Sequence, residues 1–260
     1  MVEVVEDVEV GAVHLETLDD LDDLDNLDHL GSTPYIRNVA ASTLPLFPLP
    51  LVLFPGVTIP LHIFEPRYRR MLVDCLERDR RFGIVFLQEG TAEEALAAGG
   101  DVGCIAYIES RDELPDGRSN IVVVGRERFI LRALITSPLP YRVGMIVPYE
   151  DTPEPAALLE PLATRVRDRF ERIARAARTI SDEDEPLPEL PKDPAFLAFR
   201  VASLIDLDVA ERRSLLASTS PGERLRSIDA VLSAAVDGME QRAMTHVHAK
   251  TNGRGGAAHV

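Results

Sequence analysis

Residues 44–71 read LPLFPLPLVLFPGVTIPLHIFEPRYRRM, and the placing of the prolines in that run decides the fold. Pro45, Pro48, Pro50, Pro55 and Pro60 break an otherwise apolar stretch at short intervals. A helix cannot carry proline at that density, because each one removes a backbone donor and clashes with the preceding turn. Extended chain can, if the prolines sit at strand starts, edges or bends. Leu44–Leu49 and Leu51–Phe54 therefore read as short buried strands, Pro55-Gly56 as a turn and Val57–Ile63 as the return. The period then changes. Tyr68, Met71, Leu72, Cys75 and Leu76 fall on one stripe of a helix. Glu65-Pro66 suits its start, since proline at the first helical position loses nothing and a carboxylate there favours the dipole.

Working outward, the next segments are short and β-rich. Arg81–Leu87, Val102–Glu109, Asn120–Val124, Arg128–Ile135 and Tyr141–Val147 read as strands, the last closed by Pro148. Thr91 to Ala98 reads as one or two helical turns, with Thr91 and Glu94 at capping-box spacing. Leu114-Pro115-Asp116-Gly117 carries tight-turn chemistry. So many short strands with one long helix among them predict a curled, mostly antiparallel sheet or barrel. Composition shifts at Glu150–Pro155. From Ala156 to Ile180, Leu159, Leu162, Val166, Phe170, Ile173 and Ala177 keep helical spacing. Residues 181–193, SDEDEPLPELPKD, form an acidic, proline-rich linker. Three more helices each open on a start signal: Asp193-Pro194, Asp208 with Glu211, and Ser220-Pro221-Gly222-Glu223.

The 260 residues carry a net charge of −15. Residues 1–43 hold eleven acidic side chains and one basic, Arg37, which leaves −5 for the rest. No lysine- or arginine-rich run is present, so nucleic acid is not an expected partner. No apolar run nears the ~18 residues that would suggest a membrane span. The opening MVEVVEDVEV lacks the basic and apolar parts of a signal peptide, and the only cysteines are Cys75 and Cys104. A cytoplasmic location is the expectation. The LETLDDLDDLDNLDHL segment spaces leucines three apart among mutually repelling aspartates. It reads as disordered acidic tail, with a motif that folds on a partner and a calcium loop as the alternatives.

Several of these runs resemble the amino-terminal, substrate-binding domain of Lon proteases. The likeness rests on P-L-x-I-F-E-P-R-Y, here Pro60 to Tyr68, and on V-G-x-x-A-x-I at Val102–Ile108. It extends to G-x-x-R-F at Gly125–Phe129 and to ASLIDLDVAERRSLLASTSPGERLRSI, so it covers about Leu44 to Met239. The resemblance implies an α+β fold. A small, distorted, mostly antiparallel β-barrel (LON-type, PUA-like) with one long inserted helix would be followed by a C-terminal helical bundle. The expected division is a disordered acidic tail over 1–43, the barrel over 44–150, the bundle over 151–240 and a disordered tail over 241–260. The matching residues Pro60, Phe64, Glu65, Pro66, Arg67, Tyr68, Gly103, Gly125, Arg128 and Phe129 are expected to be structural. Which residues touch a peptide is not legible in the pattern, nor is oligomeric state.

The chemistry a full Lon protease adds does not show in this sequence. There is no G-x-x-x-x-G-K-[ST] phosphate loop and no G-x-S-x-G elbow. A serine–lysine dyad needs a partly desolvated lysine. The two lysines, Lys192 and Lys250, lie in the acidic linker and the tail. His62, Glu65 and Arg67 lie close together but read as a strand residue, a helix start and a carboxylate's partner. His246, His248 and His259 lack companions for a metal set. Cys75 and Cys104 read as core. Catalytic, cofactor and metal residues are therefore expected to be none. The expected role is a non-catalytic module holding unfolded or degron-bearing polypeptides. The alternatives are an adaptor for a folded partner such as a protease or chaperone, a small-molecule sensor, and an unrecognised hydrolase.

Overall fold

A computed structural model describes residues 41–254 apart from 183 and 185. The reading of residues 1–40 as an acidic tail, and that of His259, fall outside the described residues.

The proline-rich run becomes β1 (Ser42–Leu49) and β2 (Thr58–Ile63), followed by α1 (Pro66–Leu76). Next come β3 (Arg81–Phe86), a 3-10 helix (Glu93–Ala98), β4 (Val102–Glu113), β5 (Ser119–Ile135) and β6 (Val143–Pro148). The strands form one mixed sheet in the order β2-β5-β4-β3-β1-β6, with a further β5–β6 pairing. Only β1–β3 is parallel. The sheet curls until β6 meets β5, yet it is not a clean barrel. The first half of β5 is occupied by β2, and only its second half, Phe129–Ile135, pairs with β6. Among the described residues β2 has no neighbour on its outer side, where a mid-strand Pro60 is tolerated.

Three details differ from the expectation. Leu51–Phe54 is not a strand. Leu53 and Phe54 are both buried, but Leu53 joins the sheet's core and Phe54 the core under the helices. The segment enters none of the ladder pairings of the sheet, so it is a connector between the two cores. The two strands expected over 120–135 are one, β5, which stays paired across a bulge. Cys104 faces Arg128 while Ala106 faces Gly125, so β5 holds one extra residue there. The capping box at Thr91 does not form. Glu93 and Glu94 spend their carboxylates on arginines instead: Arg67 and Arg142 on Glu93, Arg142 on Glu94.

The C-terminal half is helical: α2 (Ala156–Ser181), α3 (Pro194–Leu204), α4 (Val209–Ala217) and α5 (Pro221–Arg254). The start signals work as expected. Asp193 accepts from the Ala195 amide at 2.9 Å, Asp208 and Glu211 close a full capping box, and Ser220 accepts from the Glu223 amide at 3.0 Å. The disordered tail expected over 241–260 is corrected as far as Arg254, because α5 runs unbroken to that residue, and residues 255–260 fall outside the described residues. The far half of α5 is held against α2. Arg172 bonds Glu240 through two nitrogens at 2.8 and 2.9 Å, and Asp182, the left-handed cap of α2, takes His246 at 3.3 Å and also Lys250.

Two matching glycines are explained by close approach. A Cβ at Gly125 would stand 2.1 Å from the Phe54 carbonyl oxygen, and one at Gly103 would stand 2.4 Å from the ring of Phe129, its cross-strand partner. Gly125 also receives the Pro55-Gly56 turn, donating to the Val57 carbonyl at 2.9 Å and accepting from the Gly56 amide at 2.8 Å. Gly125→Ala is therefore expected to cost about 1–3 kcal/mol or more. A urea midpoint matching that of the unsubstituted chain would show that the turn yields freely.

On the far side of the sheet, α1 presents Asp74 to the Tyr141 hydroxyl at 2.7 Å and to Arg70 at 2.9 Å. Burial alone would raise the Asp74 carboxyl, but those two donors hold it below its ordinary value. A carboxyl depressed on folding stabilises above its unfolded pKa, and that stabilisation is lost as pH falls through the folded value, below about 4. Asp74→Asn should thus melt lower than the parent at neutral pH, with the gap closing in acid. A gap of constant size from pH 7 to pH 3 would contradict this.

Candidate functional site

The bulge in β5 has a consequence at the boundary with the helices. Bulges re-aim side chains, and here Arg128 reaches out of the sheet. Its Nη1 donates to the Leu216 and Ser218 carbonyls at 2.6 and 2.7 Å, at the end of α4. Its Nη2 donates to Asp151. Arg224, in the first turn of α5, approaches the same carboxylate from the other side. Its two terminal nitrogens each reach an Asp151 oxygen at 2.6 Å, and they also reach the Ser218 carbonyl at 2.9 Å and the Ala195 carbonyl at 3.0 Å. Arg224 is fully buried and Arg128 nearly so. Both guanidiniums lie over aromatic rings: Arg224 over Phe199 at 4.3 Å, and Arg128 over Tyr149 at 4.9 Å and Phe199 at 5.6 Å. Phe199 stacks in turn on Phe54, 5.4 Å between centroids.

Beside this network lies a cleft of about 450 Å³ between sheet and helices. Pro55, Gly56 and Gly125 form one wall, and Pro148 and Tyr149 a second. Ala195, Phe196 and Phe199 of α3 form the third. Phe199 is buried, but Phe196 leaves 43% of its surface exposed. Arg126, Glu127 and Glu150 stand among the lining side chains. A larger groove of about 660 Å³ runs between α4 and α5 over Leu207, Leu215, Ile228 and Val231. It shares Arg224 with the network but has no exposed aromatic. Preformed, mostly apolar clefts with a few placed charges are what recognition sites look like, and the cleft at Phe196 fits that description better.

The matching residues fall in three places. Gly125 and Arg128 meet at the cleft, and Gly103 and Phe129 pack against each other inside the sheet. The third place is around Glu93, at the other end of the sheet from the cleft, where Glu65, Pro66, Arg67 and Tyr68 gather while Pro60 and Phe64 stand apart. Glu65 opens α1 and pairs with Arg67 at 2.9 Å, Pro66 follows as the first helical residue, and Arg67 and the buried Tyr68 both reach Glu93. Burial, then the Glu93 charge, push the Tyr68 hydroxyl up from its ordinary value, so it stays neutral. Phe64 departs from a structural role in the core: it is 58% exposed and stacks on His62, at 5.9 Å. Pro60 is also exposed, on β2. Sequence reasoning missed Asp151, Phe196 and Phe199 as partners. Arg224 lay in plain view as the middle of the Glu223-Arg224-Leu225 helix start.

His62 sits on an exposed strand, its Nδ1 2.7 Å from Asn120 Oδ1, well away from the cleft lining. Burial pushes the Cys75 thiol up to about 12 and raises Cys104 as well, so neither is a nucleophile near neutral pH. Among the described residues no group of three histidine, cysteine or acidic side chains is placed to hold a metal, and no helix is long and apolar enough to cross a membrane.

The family model of the ATP-dependent protease La (LON) substrate-binding domain matches residues 43–233. The chain belongs to this family. Lon protease 2 of Herpetosiphon aurantiacus is 31% identical over 206 residues, which cover 77% of this chain and 25% of that protein. Lon protease of Geobacter metallireducens is 28% identical over 190 residues, covering 72% and 23%. The chain thus spans about a quarter of the length of the curated relatives it matches. A crystal structure of a Lon N-terminal domain protein from Xanthomonas campestris has 27% sequence identity and a TM-score of 0.51. It covers 73% of this chain and 98% of its own. The N-terminal domain of a Mycobacterium avium complex Lon protease, at 18% identity and a TM-score of 0.53, shares the fold, with 74% and 98% covered. The matched segment corresponds to a non-catalytic part of those proteases.

The buried network makes a sharp prediction. Removing one partner of a buried ion pair leaves uncompensated charge and costs about 3–5 kcal/mol. Asp151→Ala would strand two guanidiniums and should fall in that range or unfold the chain. Arg165→Ala, at the half-exposed pair with Asp229, should cost about 1 kcal/mol or less. Equal shifts in urea unfolding would contradict the special place given to Asp151.

Proposed function

We propose that this chain is a polypeptide-binding module that holds unfolded or degron-bearing proteins in the cleft beside Phe196. The single observation that carries this reading is a half-exposed phenylalanine in a ready-made apolar cleft, in a family named for substrate binding. Burying an aromatic side chain supplies much of the contact energy of such a site. Prolines 55 and 148 and the two glycines give the cleft walls with few rotatable bonds, so little order is lost when a guest enters. In this reading the sheet part, residues 44–150, and the helices after it act as one binding body. No step of chemistry is required.

The test is a titration of the full chain with a permanently unfolded, fluorescently labelled polypeptide, followed by anisotropy. Phe196→Ala should weaken binding roughly tenfold, as expected for truncating an aromatic hot spot, with the melting temperature unchanged. Wild-type affinity in that variant would remove the cleft from the account. A parent chain that binds no unfolded polypeptide would remove the reading itself.

A further inference from the structure

The charges around the cleft are separated by depth. Arg128 and Asp151 line its inner wall and Arg224 lies buried behind Asp151, so the network of two guanidiniums and one carboxylate carries an excess of positive charge at depth. Each guanidinium carries five N–H donors. Protein acceptors take three from Arg128 and four from Arg224. Arg224 Nε, behind the lining, is buried with no acceptor, and Arg128, which lines the cleft, makes three hydrogen bonds and so keeps two donors without an acceptor among the described residues. A buried cation in excess of its counter-charge is costly and favours an incoming anion. The outer lining has the opposite balance. Glu127 and Glu150 have no cationic partner among the described residues, against one guanidinium, Arg126, which lies over the Tyr107 ring at 5.3 Å.

We infer that the cleft receives the C-terminal end of a polypeptide, its terminal carboxylate directed to Arg128 and its last, apolar side chain to Phe196 and Pro55. This rests on the polypeptide-binding reading above and names which part of the guest is recognised. A carboxylate facing a guanidinium makes the stronger, charge-assisted kind of hydrogen bond. A chain terminus offers that carboxylate and an apolar side chain on one residue, which is the pairing the inner wall and Phe196 present. An aspartate or glutamate within a chain carries its acid and its apolar neighbour on different residues. It would also have to lead the chain past Glu127 and Glu150 in both directions. The volume of about 450 Å³ lies in the range that encloses a small guest, not a folded surface.

The experiment changes the guest, so the protein stays intact. Three labelled peptides of one sequence, ending in two apolar residues, are titrated into the full chain at ~0.15 M salt. The first has a free C-terminus, the second a C-terminal amide, and the third an amide with a glutamate placed one residue earlier. The expected result is that amidation weakens binding tenfold or more, that the glutamate does not restore it, and that Phe196→Ala weakens the free-acid peptide. Equal binding of acid and amide would overturn the inference, and so would full rescue by the glutamate. If none of the peptides binds while the unfolded polypeptide still binds through Phe196, the terminal reading fails and the broader one stands. If neither binds, both fail.

Discussion

One carboxylate between two buried arginines holds this molecule together. Asp151 sits just past the last strand. Arg128 comes from the middle of the sheet, Arg224 from the start of α5, and the remaining donors reach carbonyls at Ala195, Leu216 and Ser218. The network therefore fixes the sheet against three of the four helices that follow it. Charges so deeply placed are tolerable only while paired, so the geometry is close to all-or-none. The aromatic rings of Phe199 and Tyr149 beneath the guanidiniums add cation–π attraction. They also stand in two walls of the cleft. Stability and the shape of the candidate site thus rest on the same few atoms.

The rest of the sheet serves this placement. The Arg128 side chain can reach out of the sheet because β5 carries an extra residue just before it, and β5 can bend there because Gly125 lets the Phe54 carbonyl come close. Phe54 then passes beneath α3 to stack on Phe199. The proline-rich opening of the chain, the glycine–arginine motif and the first turn of α5 lie far apart in sequence and meet here. What they share is one packed boundary between sheet and helices.

Local chemistry was readable where it acts locally. Pro66, Asp193, Asp208 and Ser220 each open a helix because a proline ring or a capping oxygen decides the first turn on its own. Long-range partners were not readable. Leu51–Phe54 has strand composition, but its side chains serve two cores, and β5 looks like two strands until β4 is seen bridging its bulge. The half of α5 beyond Gln241 has weak local signals and is held by Arg172, Asp182 and their partners across the helix pair. Of the candidate site, Gly125 and Arg128 stood out through family resemblance. Asp151, Phe196 and Phe199 carry no motif of their own, because their roles exist only once α3 lies over the sheet.

The proposed binding face is the boundary this network builds. Amide hydrogen exchange of the full chain, with and without saturating unfolded polypeptide, tests it without altering a residue. Slowed exchange should concentrate at residues 55–57, 125–128, 149–151 and 194–199, with the α4–α5 groove unchanged. Protection at that groove, or at the Glu93 end of the sheet, with the cleft unaffected, would place the binding face elsewhere and contradict the account.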